Sequence, residues 1–245
     1  MNRQKRSNRH GCTLTLGVLI AWVAGAAQAG VTVSSGQFCF AGNWPTNQPV
    51  AAGSAVPASP TNIAAAAVGA IPFAIGEYGS PHTVAHLNDG LYGNAYSWIT
   101  GSSGKLYRSV ALGGDYGSLN MSFAGVAFSN ATLYTLSDIV FGRSAANEYS
   151  DRISGNVYIQ ATTSTDLSVI TNRDVSTDAQ WTTLGYITTS DVYEHMLTFT
   201  NSVNATGIRI VTTAGNCIDE IVVHGTSASS PWGGTGGFVW TNATG

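Results

Sequence analysis

The chain has 245 residues, 44% of them hydrophobic and only 9% charged, with 29 glycines. That balance excludes a disordered chain, which combines low hydrophobicity with high charge, and suits an exported β-rich protein. The formal net charge of −3 becomes −7 without the first 29 residues, because six strong bases then face all 13 acids. With no basic cluster after residue 29, that part of the chain lacks the means to neutralise phosphates that nucleic-acid affinity requires, or to dock on anionic lipid by charge.

At the N-terminus, Arg3, Lys5, Arg6 and Arg9 form a positive region, Leu14 to Ala24 is apolar, and Ala27-Gln28-Ala29 has the small residues of a cleavage site. These features predict a signal peptide over 1–29 and a secreted or cell-surface protein starting at Gly30. The apolar run is too short for a spanning helix, which needs about 20 residues. No later segment is long and apolar enough to cross a membrane. Cys12 leaves with the signal peptide, so Cys39 and Cys217 remain and one internal disulfide is expected in an oxidising compartment. The alternative is that Cys39 sits in a loose tail and Cys217 is a buried apolar side chain.

Residues 30–44 read as one short strand. Residues 45–61 hold four of the seven prolines among Ala, Ser and Gly, the composition of a linker or loosely packed lead-in. The N-terminal strand and linker thus cover 30–61, and the folded domain is expected over 62–225. The alanine run from Ala64 favours helix on propensity, but Gly69 and Pro72 interrupt it, and it is read as extended.

From residue 105 onward the pattern is short and alternating. Strands are expected over Lys105–Leu112, Leu119–Phe128, Leu136–Phe141, Asn156–Thr162, Trp181–Ile187, His195–Thr200, Gly207–Thr212 and Ile218–His224, separated by Gly, Asn, Asp and Ser clusters. Ile208 and Ile210 face one way and Arg209 the other, the pattern of a half-buried strand. No segment sustains helical periodicity, so the fold class is all-β, a β-sandwich or jelly roll. Residues 226–245 form a low-complexity tail with two tryptophans. It reads either as the opening of Trp/Gly-rich strand repeats or as a plain disordered tail.

Two distant signals organise this β-rich stretch. The first runs from Ala85 to Trp98, a polar turn (His86-Leu87-Asn88-Asp89-Gly90) that ends in a large aromatic. The second is Gly215-Asn216-Cys217-Ile218-Asp219-Glu220, a short strand with two carboxylates. Between them lie Phe123 to Phe128, Leu136-Ser137-Asp138-Ile139-Val140-Phe141-Gly142-Arg143, Tyr149-Ser150-Asp151-Arg152, Asn156 to Thr162, and Trp181. In this order the motifs resemble a discoidin-like domain, also called F5/8 type C, over roughly 62–225. Ala127 departs from that pattern in place of an aspartate, as does a hairpin-like insertion over 101–121.

The resemblance implies a galactose-binding-like jelly-roll β-sandwich that binds carbohydrate or glycan without catalysis, and a structural calcium ion between its first and last strands. Calcium takes six to eight oxygens from carboxylates, amides and carbonyls. By the resemblance its ligands are Asp89, Asn94, Ser97 and Glu220; the alternative has Asp89 capping an Asx-turn and Glu220 exposed to solvent. Ligand would meet loops at one end of the sandwich, where aromatic faces and a few polar groups suffice. The candidates there are Arg143, Tyr149, Arg152, His82 and Asn216, with Tyr78, Trp98 and Asp151 also weighed. Tyr78 and His82 also read as a plain surface turn and Trp98 as core, while Arg143 and Arg152 have Glu148 and Asp151 as ion-pair partners worth little.

The remaining function classes are an adhesive spacer that docks cell-surface proteins without a small-molecule site, and a glycosidase fragment. The chain has no G-x-S-x-G elbow, no H-E-x-x-H and no phosphate-binding G-x-x-x-x-G-K loop. No spacing pairs its acids across a cleft as glycoside hydrolysis requires.

Overall fold

The computed structural model describes residues 32–33, 38–42, 55, 61–92, 97–99, 121–142, 155–172, 179–189, 195–213 and 217–228. In chain order the strands are β1 (Thr32–Val33), β2 (Phe38–Gly42), β3 (Ile71–Ala74), β4 (Trp98–Ile99), β5 (Met121–Ala127), β6 (Tyr134–Gly142), β7 (Gly155–Thr162), β8 (Thr182–Thr189), β9 (His195–Ala205), β10 (Gly207–Thr213), β11 (Cys217–Ile218) and β12 (Glu220–Ser227). Among the described residues they form a six-stranded sheet in the order β1-β8-β7-β10-β5-β3, a four-stranded sheet in the order β12-β6-β9-β2, and the small pair β11-β4. Among the described residues these strands all pair antiparallel.

Alternation builds the sandwich. Ala124, Val126, Val157, Ile159, Ile208 and Ile210 of the six-stranded sheet share one core with Ile139, Phe141, Leu197, Phe199, Ile221 and Val223 of the four-stranded sheet. Successive strand residues point to opposite faces, so each sheet gives this core every second side chain. The all-β class and most expected strands hold, with ends shifted by a few residues; Lys105–Leu112 lies outside the described residues.

Several expectations need correction. Residues 30–44 contribute two strands rather than one: β1 pairs with β8 and β2 with β9, each at a sheet edge. The alanine run is not extended. Ala66–Val68 is a 3₁₀ turn, and Gly69 ends it at φ 86°, a left-handed conformation that glycine adopts without penalty. The last expected strand is split at Asp219 into β11 and β12.

The largest correction concerns Arg209, which is not on a solvated face: it is 0% exposed. A second apolar cluster (Phe73, Phe123, Tyr158, Trp181 and Val211 among its members) covers the opposite face of the six-stranded sheet, so β10 is buried on both sides. The single turn of helix α1 (Leu167–Ile170) adds Ile170 to this layer. Asp166 caps α1, and the Ser168 hydroxyl beside it holds its carboxyl below the usual range.

Gly125 shows how tight this layer is. It stands opposite Arg209 and Phe73 in the sheet. A β-carbon there would lie 2.7 Å from both the Phe73 ring and Arg209 Cβ, and closer still to the Ile208 carbonyl. Two of those contacts involve fixed backbone or Cβ atoms, so Gly125→Ala is expected to cost about 1–3 kcal/mol through overpacking, read by chemical denaturation. An unchanged unfolding midpoint would show that the sheet can part there.

Candidate functional site

The two distant signals meet. The polar turn is fixed from beneath by Asn88, which is buried and donates through Nδ2 to the Ala64 carbonyl at 2.9 Å and the Ala70 carbonyl at 3.3 Å. Gly90, at φ 82°, turns the chain so that its N–H reaches Glu220 Oε2 at 3.0 Å, across 130 residues. Beside this contact β4 pairs with β11, placing Trp98 opposite Ile218 and Ile99 opposite Cys217. The Ser97 hydroxyl donates to the Asp219 carboxylate in a short hydrogen bond.

Asp219 is 0% and Glu220 1% exposed, so the alternative of a solvent-exposed Glu220 is overturned. Asp89 does shape a local turn. Its Oδ1 accepts the Leu91 N–H at 2.9 Å, and its Oδ2 lies 2.6 Å from His86 Nδ1.

Adjoining this junction is a turn carrying an exposed aromatic. Tyr78 is 65% exposed, and its ring meets that of His82 edge-on at 5.9 Å. The turn is held firmly. Tyr78 N–H donates to the Ile99 carbonyl at 2.9 Å, His82 N–H to the Gly79 carbonyl at 2.7 Å, and Val84 N–H to Glu77 Oε2 at 2.7 Å. His82 Nδ1 lies 3.2 Å from the Ser97 carbonyl, so one residue touches both the turn and the Asp219 carboxylate. Trp98 is fully buried, with its indole N–H on the Gly76 carbonyl at 3.0 Å; it is core, not platform.

Of the expected site residues, the structure therefore brings together His82, Asp89, Ser97 and Glu220. Arg143, Tyr149, Arg152 and Asn216, together with Asn94, lie outside the described residues, as does the side chain of Cys39 and with it the expected bridge to buried Cys217. The sequence reading passed over Asp219 as a partner for Ser97. The cue was present, since a polar pair at a strand start cannot have both members on the solvent side of a covered sheet.

Oxygen predominates around the junction: the carboxylates of Asp89, Asp219 and Glu220 and the hydroxyl of Ser97. Asn88 Oδ1 is buried with no hydrogen-bond partner among the described residues. Such a donor set fits a hard cation rather than a transition metal. Among the described residues no group of three or more His, Cys, Asp or Glu converges on one point, so amide, hydroxyl and carbonyl oxygens would have to complete any shell.

No protein-family model matches the chain, and no curated protein sequence matches it. Solved structures do. The family 32 CBM from C. perfringens NanJ in complex with galactose is 16% identical, with a TM-score of 0.45, over 66% of this chain and 97% of that one. Chitosan-binding module 1 of a chitosanase/glucanase from Paenibacillus sp. IK-5 is 20% identical, with a TM-score of 0.44, over 67% of this chain and 98% of that one. An f-lectin (fucolectin) from the serum of Morone saxatilis is 16% identical, with a TM-score of 0.47, over 70% of this chain and 50% of that one. All three likenesses lie below 25% identity and below a TM-score of 0.5.

Proposed function

We propose that the chain is an exported, non-catalytic binding module that takes carbohydrate at the Tyr78–His82 turn, with a structural calcium ion at the adjoining junction. The observation that carries this reading is Tyr78. A large aromatic, 65% exposed and held on a turn with several backbone hydrogen bonds, loses little entropy when a sugar ring stacks on it. His82 at its edge supplies a hydrogen-bonding group for hydroxyls. An adhesive spacer has no need of such a platform.

Arg143, Tyr149, Arg152 and Asn216 are proposed as further contacts to the same ligand. Asp89, Asn94, Ser97 and Glu220 are proposed to hold calcium, whose part is to tie the 88–92 turn to β12. Surface proteins that display glycans are the partners this reading implies.

A glycan array of the purified protein in calcium tests the proposal, with galactose and chitosan, named with two of the similar structures, as the first soluble probes. Saturable binding to one sugar class is expected. Tyr78→Ala should weaken it about tenfold, the loss of roughly 1.4 kcal/mol of stacking, with the melting temperature unchanged because the side chain is exposed. Full binding by Tyr78→Ala would move the site elsewhere, and a blank array from folded protein would favour the adhesive spacer.

A further inference from the structure

A groove lies on the outer face of the four-stranded sheet. There β6 and β12 are both irregular at the same point. The register with β12 shifts between His224 and Gly225, and that with β9 between Leu136 and Asp138. Ser137 is left opposite no residue on either neighbour. Bulges of this kind re-aim side chains and open a sheet locally. The result is a groove of about 390 Å³ lined by Ser137, Asp138, His224, Thr226, Thr61 and Met196, among others.

Its centre is built rather than incidental. Asp138 and His224 face one another across the two strands, with Asp138 Oδ1 2.5 Å from His224 Nδ1. Their side chains are only 11% and 12% exposed. With one oxygen of Asp138 on His224 Nδ1, the carboxyl group has lone pairs left for further donors. Three hydroxyls from Thr61, Ser137 and Thr226 line the groove beside the pair, and among the described residues no lysine or arginine does. Met196 offers a flexible apolar contact.

We infer that this groove binds a ligand carrying a primary ammonium beside hydroxyl groups, of which an amino sugar is the simplest form. A carboxylate whose described partner is one imidazole nitrogen favours a cationic donor, charge-assisted hydrogen bonds being about twice as strong as neutral ones. The hydroxyls accept the ammonium's remaining protons or pair with the ligand's own hydroxyls. This inference does not depend on the Tyr78 turn.

The test is titration with glucosamine, N-acetylglucosamine and glucose to about 50 mM, where a site of millimolar affinity saturates, followed by backbone NMR or calorimetry. Glucosamine should bind at least tenfold more tightly than the other two. Asp138→Asn keeps the shape and removes the charge, and should abolish that preference. Thr226→Arg places a cation at the exposed rim and should abolish binding, and it keeps the test decisive if Asp138→Asn fails to fold. Tyr78→Ala should leave glucosamine binding here intact, so that failure of the Tyr78 site and failure of this one read separately. Equal affinity for all three sugars, absence of glucosamine binding, or wild-type binding by a folded Asp138→Asn or Thr226→Arg would overturn the assignment.

Discussion

Arg209→Ala is expected to remove about 3–5 kcal/mol of folding stability, the range for truncating a large buried side chain. The guanidinium carbon of Arg209 lies 4.6 Å from the centre of the Phe123 ring and 4.5 Å from that of Trp181, so the group is stacked between two aromatic faces. Its Nε donates to Gln160 Oε1 at 2.7 Å, and Gln160 is itself fully buried. Truncation therefore opens a cavity in the outer layer, removes a desolvated cation–π contact worth about 2 kcal/mol, and strands an amide oxygen at about 1–3 kcal/mol. These terms overlap and do not add.

Arg209→Met separates them. It keeps most of the volume, so it should recover part of the loss and leave the cost of the lost hydrogen bond to Gln160. Arg209→Lys keeps the charge but loses the planar stack and the Nε hydrogen bond, and should not restore wild-type stability. Urea unfolding of the three variants reads this directly. A midpoint for Arg209→Ala within about 0.5 kcal/mol of wild type, the scatter of an ordinary surface change, would show that the buried stack does not hold the layer together.

Arg209 also shows where sequence reading stops. The alternation Ile208-Arg209-Ile210 identifies β10 and its inner face correctly, because one buried face is enough to impose a period of two. Whether the other face is covered depends on what packs over it, and the partners of Arg209 come from residues 123, 160 and 181, none of them near in sequence. An arginine reads locally as solvated. For the same reason Asp138 and His224, 86 residues apart, carry no local spacing that marks them as a pair.

The junction was legible because its two halves are compact polar motifs whose Gly, Asn and Asp residues have few other reasons to cluster, and Gly90 and Glu220 do meet. The edge strands were not. β1 is two residues long and β2 five, each too short for a periodic signal. The 3₁₀ turn at Ala66–Val68 is not legible locally, because in sequence Gly69 reads as a breaker, whereas its left-handed φ is what closes the turn.

Chelation of calcium is expected to lower the melting temperature of the wild-type protein, and Glu220→Gln to abolish that difference. The argument begins with desolvation. Asp219 and Glu220 are adjacent, both essentially fully buried, and burial of carboxylates is costly unless donors or a cation compensate them. The Ser97 hydroxyl and the Gly90 N–H supply part of that compensation. A hard cation accepting oxygens from this region would supply more, and would link the turn at 88–92 to β12 across the length of the chain.

An ion present at a thousandfold over its dissociation constant stabilises the native state by about 4 kcal/mol, several degrees of melting temperature for a domain of this size. Glu220→Gln preserves shape and can still accept from Gly90 N–H, so it removes charge with little change in packing. Its own stability without calcium should therefore lie close to that of the chelated wild type. The checking measurement is thermal unfolding of both proteins with calcium and with chelator, at fixed ionic strength so that screening is equal. Identical wild-type melting temperatures in the two conditions would remove calcium from the account and leave the junction held by its hydrogen bonds alone.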